Sequence, residues 1–404
     1  MLPLVALTAI VLGVAACGGG ESEGDSDDAV VFGADAELSG PLQVYAAPGE
    51  QGLEQAAEDI NDEGGIEVGD QSLTAEVAIE DNRSDPSQVV SAARAVIDSG
   101  SIAAWGPGIS GAAAYELWEK VGLITFTPDF NLQETLRKDP QGNPLLFTQV
   151  PFYYELYPAN MLRIKELFPE ISKVAIVAPS DDQGLGGLAA YEAGAKVAGM
   201  SVVAGEVYEP DAVDFSSVLT SIKGKSPDLL IALVSPEQAS NILRQATQLD
   251  VAPYGLSDTM TADQALELTS DGAGLTMIIP NFSPTFSEAA TIPDFDPEAI
   301  FGDEQPAGAP GAGIVMYYAY RVVAQAITDA GTATDAEAIA RELPGQSYDG
   351  PFGTCKVSRQ HALDCETTVD VVEGDLVTVN RYPTSKDIQP SAVYECREGN
   401  CKAD

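Results

Sequence analysis

Residues 73–106, LTAEVAIEDNRSDPSQVVSAARAVIDSGSIAAWG, decide the fold. LTAEVAIEDN alternates apolar and polar residues, as a half-buried strand does. Asp85 and Pro86 then stand where a helix cap and first turn belong. DPSQVVSAARAVIDSG (85–100) reads as that helix, and Gly100 ends it. SIAAWG is short and apolar, as a buried strand is. The stretch is therefore a β-α-β unit, which implies a parallel sheet with helices on its faces.

The same alternation extends in both directions. AVVFGADAELSG (29–40) predicts a strand running into a Gly-rich loop, and GEQGLEQAAEDINDEGGI (49–66) a helix. SGAAAYELWEKVG (110–122) predicts a helix capped by Ser110, and LITFTP (123–128) the next strand. The pattern restarts at ISKVAIVAPS (171–180) and runs through three more strand–helix pairs to GLTMIIPNF (274–282). Two α/β lobes follow, consistent with 404 residues, too many for one ordinary core. The long apolar helix at 312–331 is assigned back to the first lobe, and the hairpin from Gly350 to the second. The expected division is 29–151 plus 284–345 for the first lobe, 152–283 plus 346–382 for the second, and an extension at 383–404.

The charge is extreme, with 62 acidic against 20 basic residues and a formal net charge of −42. Such a surface repels nucleic acid and anionic lipid, which excludes a DNA- or RNA-binding role. It also suits a saline habitat, because ions screen the self-repulsion. The melting temperature is accordingly expected to rise with added salt up to molar levels; a flat response removes the idea.

Residues 1–16 form an apolar segment too short to span a bilayer comfortably, and Val14-Ala15-Ala16-Cys17 has the form of a bacterial lipobox. The expectation is a lipoprotein signal at 1–16, lipidation at Cys17 and a flexible acidic tether at 17–28. That address is extracytoplasmic, on the outer face of the membrane. The remaining cysteines are Cys355, Cys365, Cys396 and Cys401. Three pairings are open; local pairing, Cys355–Cys365 and Cys396–Cys401, is preferred. A zinc site would want closer Cys spacings or several histidines, and no metal is expected.

Three catalytic or cofactor readings fail on the residues. Ser110 in GPGISGA lacks the second glycine of a nucleophile elbow, Ala112 standing in its place. His361, the one histidine, sits in a presumed solvated turn of the disulfide hairpin, far in topology from Ser110. Gly184, Gly186 and Ala189 satisfy a dinucleotide fingerprint formally. However, PSDDQ separates them from the strand, and two aspartates would repel a pyrophosphate. No cofactor is expected. Trp105 and Trp118 are read as core, with Trp105 close to the cleft.

The motifs SGPLQVYAAPGEQGLEQAAEDINDEGGI (39–66), WGPGISG (105–111), LITFTPD (123–129), KVAIVAPSDDQGLG (173–186) and DFSSVLTSIKGKSPDLLIALVSPEQASNILRQA (214–246) stand in one order and spacing. Together they resemble the periplasmic branched-chain amino-acid binding proteins of ABC importers, over about residues 30–380. The resemblance implies a type I periplasmic binding fold, with two Rossmann-like doubly wound lobes joined by a three-stranded hinge. It implies a monomeric solute-binding lipoprotein, not an enzyme. Such a protein captures a small solute in the cleft and delivers it to an ABC permease; a ligand sensor of the same fold is the alternative.

Site residues carry over by position. Tyr45 matches a first-loop tyrosine lining the side-chain pocket, and Ser110 the serine that holds the ligand carboxylate. Asp129 and Asn131 fall on the loop whose backbone N–H groups and threonine serve that same carboxylate. Gln183 and Ser235 replace ligand-facing aromatics, and Asp258 lies near the acid that pairs with the ligand ammonium. An aspartate at 129 would repel a bound carboxylate. A ligand with a cationic or hydroxyl-bearing end near Asp129 fits better than Leu, Ile or Val.

Overall fold

The computed structural model describes residues 29–40, 42–233, 236–269, 274–281, 291–292, 295–302, 310–397 and 400–403. The signal segment, the tether with Cys17, and Ser235 lie outside the described residues.

The first lobe runs β1 (Ala29–Ala36), α1 (Gln43–Asp62), β2 (Ile66–Val68), β3 (Gln71–Asp81), α2 (Pro86–Asp98), β4 (Ala103–Trp105), α3 (Gly111–Val121), β5 (Ile124–Thr127), α4 (Phe130–Lys138) and β6 (Leu146–Thr148). Its sheet has the order β2-β3-β1-β4-β5-β6. Every pairing is parallel except β2 with β3. The unit over 73–106 forms as read: the Asp85 carboxylate accepts from Ser87 N at 2.8 Å, and Pro86 opens α2.

The second lobe runs α5 (Tyr153–Leu167), β7 (Lys173–Pro179), α6 (Asp182–Val197), β8 (Ser201–Tyr208), α7 (Ser216–Lys223), β9 (Leu229–Ala232), α8 (Pro236–Gln248), β10 (Tyr254–Leu256), α9 (Ala262–Thr269) and β11 (Thr276–Asn281). The chain returns through α10 (Glu298–Phe301) to α11 (Pro310–Ala330) and α12 (Ala336–Glu342). As expected, α11 lies on the first lobe, packed along α1. The two helices meet backbone to backbone: a Cβ at Gly52 would run into the Gly313 carbonyl. Only glycine permits that approach.

The last strands are β12 (Ser347–Gly350), β13 (Gly353–Val357), β14 (Leu363–Cys365), β15 (Thr367–Glu373), β16 (Leu376–Tyr382), β17 (Ala392–Arg397) and β18 (Asn400–Ala403). The second sheet therefore has the order β18-β17-β16-β15-β11-β10-β9-β7-β8. Strands β7 to β11 are parallel, and an antiparallel meander, β15 to β18, is added beside β11. The extension at 383–404 is thus part of the second lobe's sheet and not an appendage.

The hairpin β12-β13-β14 departs from the sequence reading, which placed it in the second lobe. Tyr348 packs edge-on against Tyr318 of α11, ring centroids 5.8 Å apart. Tyr318 Oη donates to Gly353 O at 2.7 Å, and Ala362 bridges Thr148 of β6. The aromatic face of α11 needs a cover, and this hairpin supplies it. His361 is consequently not a solvated turn residue. It is 5% exposed, stacks on Phe147 at 4.4 Å, and its Nδ1 lies 3.0 Å from Leu146 O. The disulfides pair Cys355 with Cys365 and Cys396 with Cys401.

Candidate functional site

The carboxyl ends of β1, β4, β5 and β6 face those of the second lobe's parallel strands, and a cavity of about 200 Å³ lies between them. This is where open α/β sheets place ligands. The walls are mostly aromatic and apolar. Tyr45 of α1, Trp105 of β4 and Phe130 of α4 come from the first lobe. Tyr153 and Tyr157 of α5 and Leu233 come from the second. The polar lining includes Glu37, Gln149, Asn160, Gln183, Asp258, Thr259 and Asn281.

The lobes already touch across this cavity. Gln183 Nε2 donates to Gly108 O at 2.8 Å. Gly108 N in turn donates to Glu37 Oε1 at 2.9 Å, so the loop carrying Gly108 is held from both sides. Tyr45 shares a hydrogen bond with the Thr259 side chain. Phe130 stacks on Tyr153 at 4.1 Å and fills the space over Gly186, whose Cβ would strike its ring. The glycines of the dinucleotide-like motif therefore serve close packing: Gly184 admits Pro179, and Gly186 admits Phe130. Asp181 caps α6 through Gly184 N at 2.8 Å.

Asp258 is the electrostatic centre of the second-lobe wall. Its carboxylate accepts from Tyr191 Oη at 3.3 Å and from the Tyr157 hydroxyl. Burial pushes its pKa up, and those two hydroxyls oppose the rise. Asp258 keeps part of its surface open, and that surface belongs to the cavity. Burial first, then the Asp258 charge, raises the pKa of Tyr45, Tyr153 and Tyr157.

Two residues of the cavity wall each carry a sealed polar atom with no protein partner among the described residues. Trp105 is 3% exposed and its Nε1–H is unbonded; Gln149 is 5% exposed and its Oε1 is unbonded. Trp118 differs: its Nε1 donates to Ala93 O at 2.9 Å, and it is core as read.

The sequence-derived residues divide sharply. Tyr45, Gln183 and Asp258 line the cavity. Tyr45 does so from the first turn of α1, because that helix starts at Gln43 and not in a loop. Ser110, Asp129 and Asn131 do not line it. Ser110 is exposed, has φ +52°, and its side chain caps nothing. The cap it was expected to provide comes from Asp129, which reaches Gly111 N at 3.2 Å. The same carboxylate accepts from Asn131 N at 2.8 Å and Leu132 N at 3.0 Å, capping α4. One buried carboxylate thus serves two helix N-termini, and a bare hydroxyl is no rival for charge-assisted bonds to both. Asn131 faces outward, and its backbone N–H is the group given to Asp129. Ser235 lies outside the described residues. Gln149, Asn160 and Glu37 were missed: each is a lone polar residue in an apolar run, with no spacing signal to single it out.

Behind Glu37, Asp35 is fully buried and accepts from Asn82 Nδ2 at 2.8 Å through one oxygen, the other being unpaired. Burial pushes both Asp35 and Glu37 up to about 7. In the unfolded chain both ionise near pH 4. Between those values the folded state holds protons that the unfolded state has released, so stability falls as pH rises from about 4 to 7. The expected gain on acidifying from pH 8 to 5.5 is on the order of 2 kcal/mol for each group, about 4 kcal/mol for the pair, read as a higher melting temperature. Asp35→Asn should remove a large part of that response; an unchanged pH profile in the variant refutes the assignment.

A family profile described as periplasmic binding protein matches residues 30–374. The chain belongs to that family. This type I periplasmic binding protein has relatives of known kind. It is 26% identical over 323 residues to a Leu/Ile/Val-binding protein, BraC3, of Rhizobium johnstonii, covering 78% of this chain and 83% of the relative. Its fold matches the branched-chain amino acid transporter substrate binding protein LivJ of Streptococcus pneumoniae, solved with isoleucine. The TM-score is 0.68 at 19% identity, over 92% of this chain and 100% of LivJ. It matches equally a solute binding protein of an ABC transporter from R. palustris, solved with benzoate. There the TM-score is 0.68 at 15% identity, over 92% of this chain and 99% of the other. This type I periplasmic binding protein has two α/β lobes, each built on one of the two large sheets.

Proposed function

We propose that the protein is an extracytoplasmic solute-binding component of an ABC importer. It takes one small organic solute between its lobes and presents the closed form to a permease. The observation that carries this reading is the interlobe cavity, lined from both lobes by aromatic and polar side chains, Tyr45 and Trp105 on one side and Tyr153, Tyr157 and Asp258 on the other. A solute held there touches both lobes at once. Closure follows because contacts to both lobes exist only in the closed form.

The similarity to transporter binding proteins of Leu, Ile and Val supports the importer role and a non-catalytic function. Among the described residues no helix is long and apolar enough to cross a membrane. Anchoring is assigned to a lipid on Cys17 after removal of residues 1–16, the acidic tether giving the lobes reach. Monomeric action fits a site made wholly within one chain.

A thermal-shift panel of amino acids, amides, amines, polyamines and aromatic carboxylates tests the reading. At least one class is expected to raise the melting temperature in a concentration-dependent way. No response across the panel, or chemical turnover of a member, overturns it.

A further inference from the structure

We propose that the solute is a protonated amine with an apolar body, and that it carries no carboxylate. This rests on the solute-binding reading above and names the chemistry of that same cavity.

The cavity needs a positive charge that the chain does not provide. Asp258 and Glu37 both line it. All 20 Lys and Arg residues and the histidine fall among the described residues, and none of them lines the cavity. Among the described residues Asp258 is bonded to neutral hydroxyls and its own backbone, with no cation beside it. The rings of Tyr45, Tyr153 and Tyr157 crowd the same charge. A carboxylate among aromatic faces is a receptor for an ammonium, which gains from ion pairing and from the ring faces together.

A carboxylate would add negative charge beside the carboxyl groups of Asp258 and Glu37, and none of the chain's cationic side chains lines the cavity to hold it. The donor cluster suited to a carboxylate, at the N-termini of α3 and α4, is taken by the chain's own Asp129. The apolar body lies against Phe130, Leu156 and Val315, which line the same cavity.

Calorimetry with leucinol, leucinamide and tyramine, each against leucine or tyrosine as its carboxylate parent, tests this. The amines are expected to bind at least 30-fold more tightly than their parents. Asp258→Asn, isosteric, should lose at least 30-fold for leucinol. Quenching or shift of Trp105 emission gives a second readout, since Trp118 is sealed in the core. Equal or tighter binding of leucine or tyrosine overturns the solute class but leaves solute binding intact. Binding of none of the five probes also overturns the class. In that case a response elsewhere in the wider thermal-shift panel keeps the binding-protein reading, and silence there removes both. An Asp258→Asn variant that folds and keeps its leucinol affinity places the cation elsewhere and overturns the assignment to this wall.

Discussion

Arg163→Ala is expected to destabilise the protein by about 4 kcal/mol, the largest single effect outside the ligand site. Arg163 is fully buried in α5 and, among the described residues, forms no ion pair within 4 Å, the Asp387 and Asp364 charges acting on it from farther off. Its guanidinium instead donates from Nε to Asp387 O at 2.7 Å and from Nη2 to Thr384 O at 2.8 Å. Nη1 donates to Asn160 Oδ1 at 3.1 Å and Thr367 Oγ1 at 3.0 Å. The group stacks over Tyr382 at 3.8 Å. Burial lowers its pKa to about 10, so it stays charged at neutral pH. These bonds tie α5, the helix after the first lobe crossing, to Thr367, the residue at which the last crossing enters β15. Alanine leaves two half-buried carbonyls without this donor and a bare tyrosine face. Lysine should recover little, because a point charge cannot fork to four acceptors. Urea unfolding reads the change; a loss under 1 kcal/mol would mean that water satisfies the acceptors.

Asp129→Ala is expected to cost about 3 kcal/mol, the sum of two helix caps in a buried setting. Three N–H groups, of Gly111, Asn131 and Leu132, lose their acceptor at once. The variant makes a second, sharper claim. With the carboxylate gone, the vacated donors form an anion site, and acetate at high concentration should restore part of the melting temperature. Acetate should do nothing for the wild type. Rescue in neither protein, together with a stability loss under 1 kcal/mol, refutes the double-cap role.

The contrast between Ser110 and Asp129 shows where sequence reasoning stops. The β-α-β periodicity is a local property, so strands, helices and lobes were legible from residues 73–106 outward. Capping rules are local too, and Ser110 satisfies them, standing one residue before α3. What defeats it is a carboxylate 18 residues away that the fold brings to the same N–H. His361 and the hairpin were misplaced for the same reason: nothing within the hairpin's own sequence announces that α11 offers an aromatic face to cover. Conversely Asp258 and Gln183 were found through family position, whereas Gln149 joins the cavity wall with no local signal to mark it.

The meander that ends the second sheet bears on how copies of this chain coexist at high concentration. An open sheet ends in a row of unpaired backbone groups, an invitation for another chain to add a strand. Here that end is β18, four residues long, with Cys401 bonded across to Cys396 and Lys402 opposite Glu395. A short strand, cross-linked to its neighbour and flanked by charge, offers little length to copy. The terminal disulfide thus acts less as a brace for one molecule than as a guard against intermolecular strand exchange.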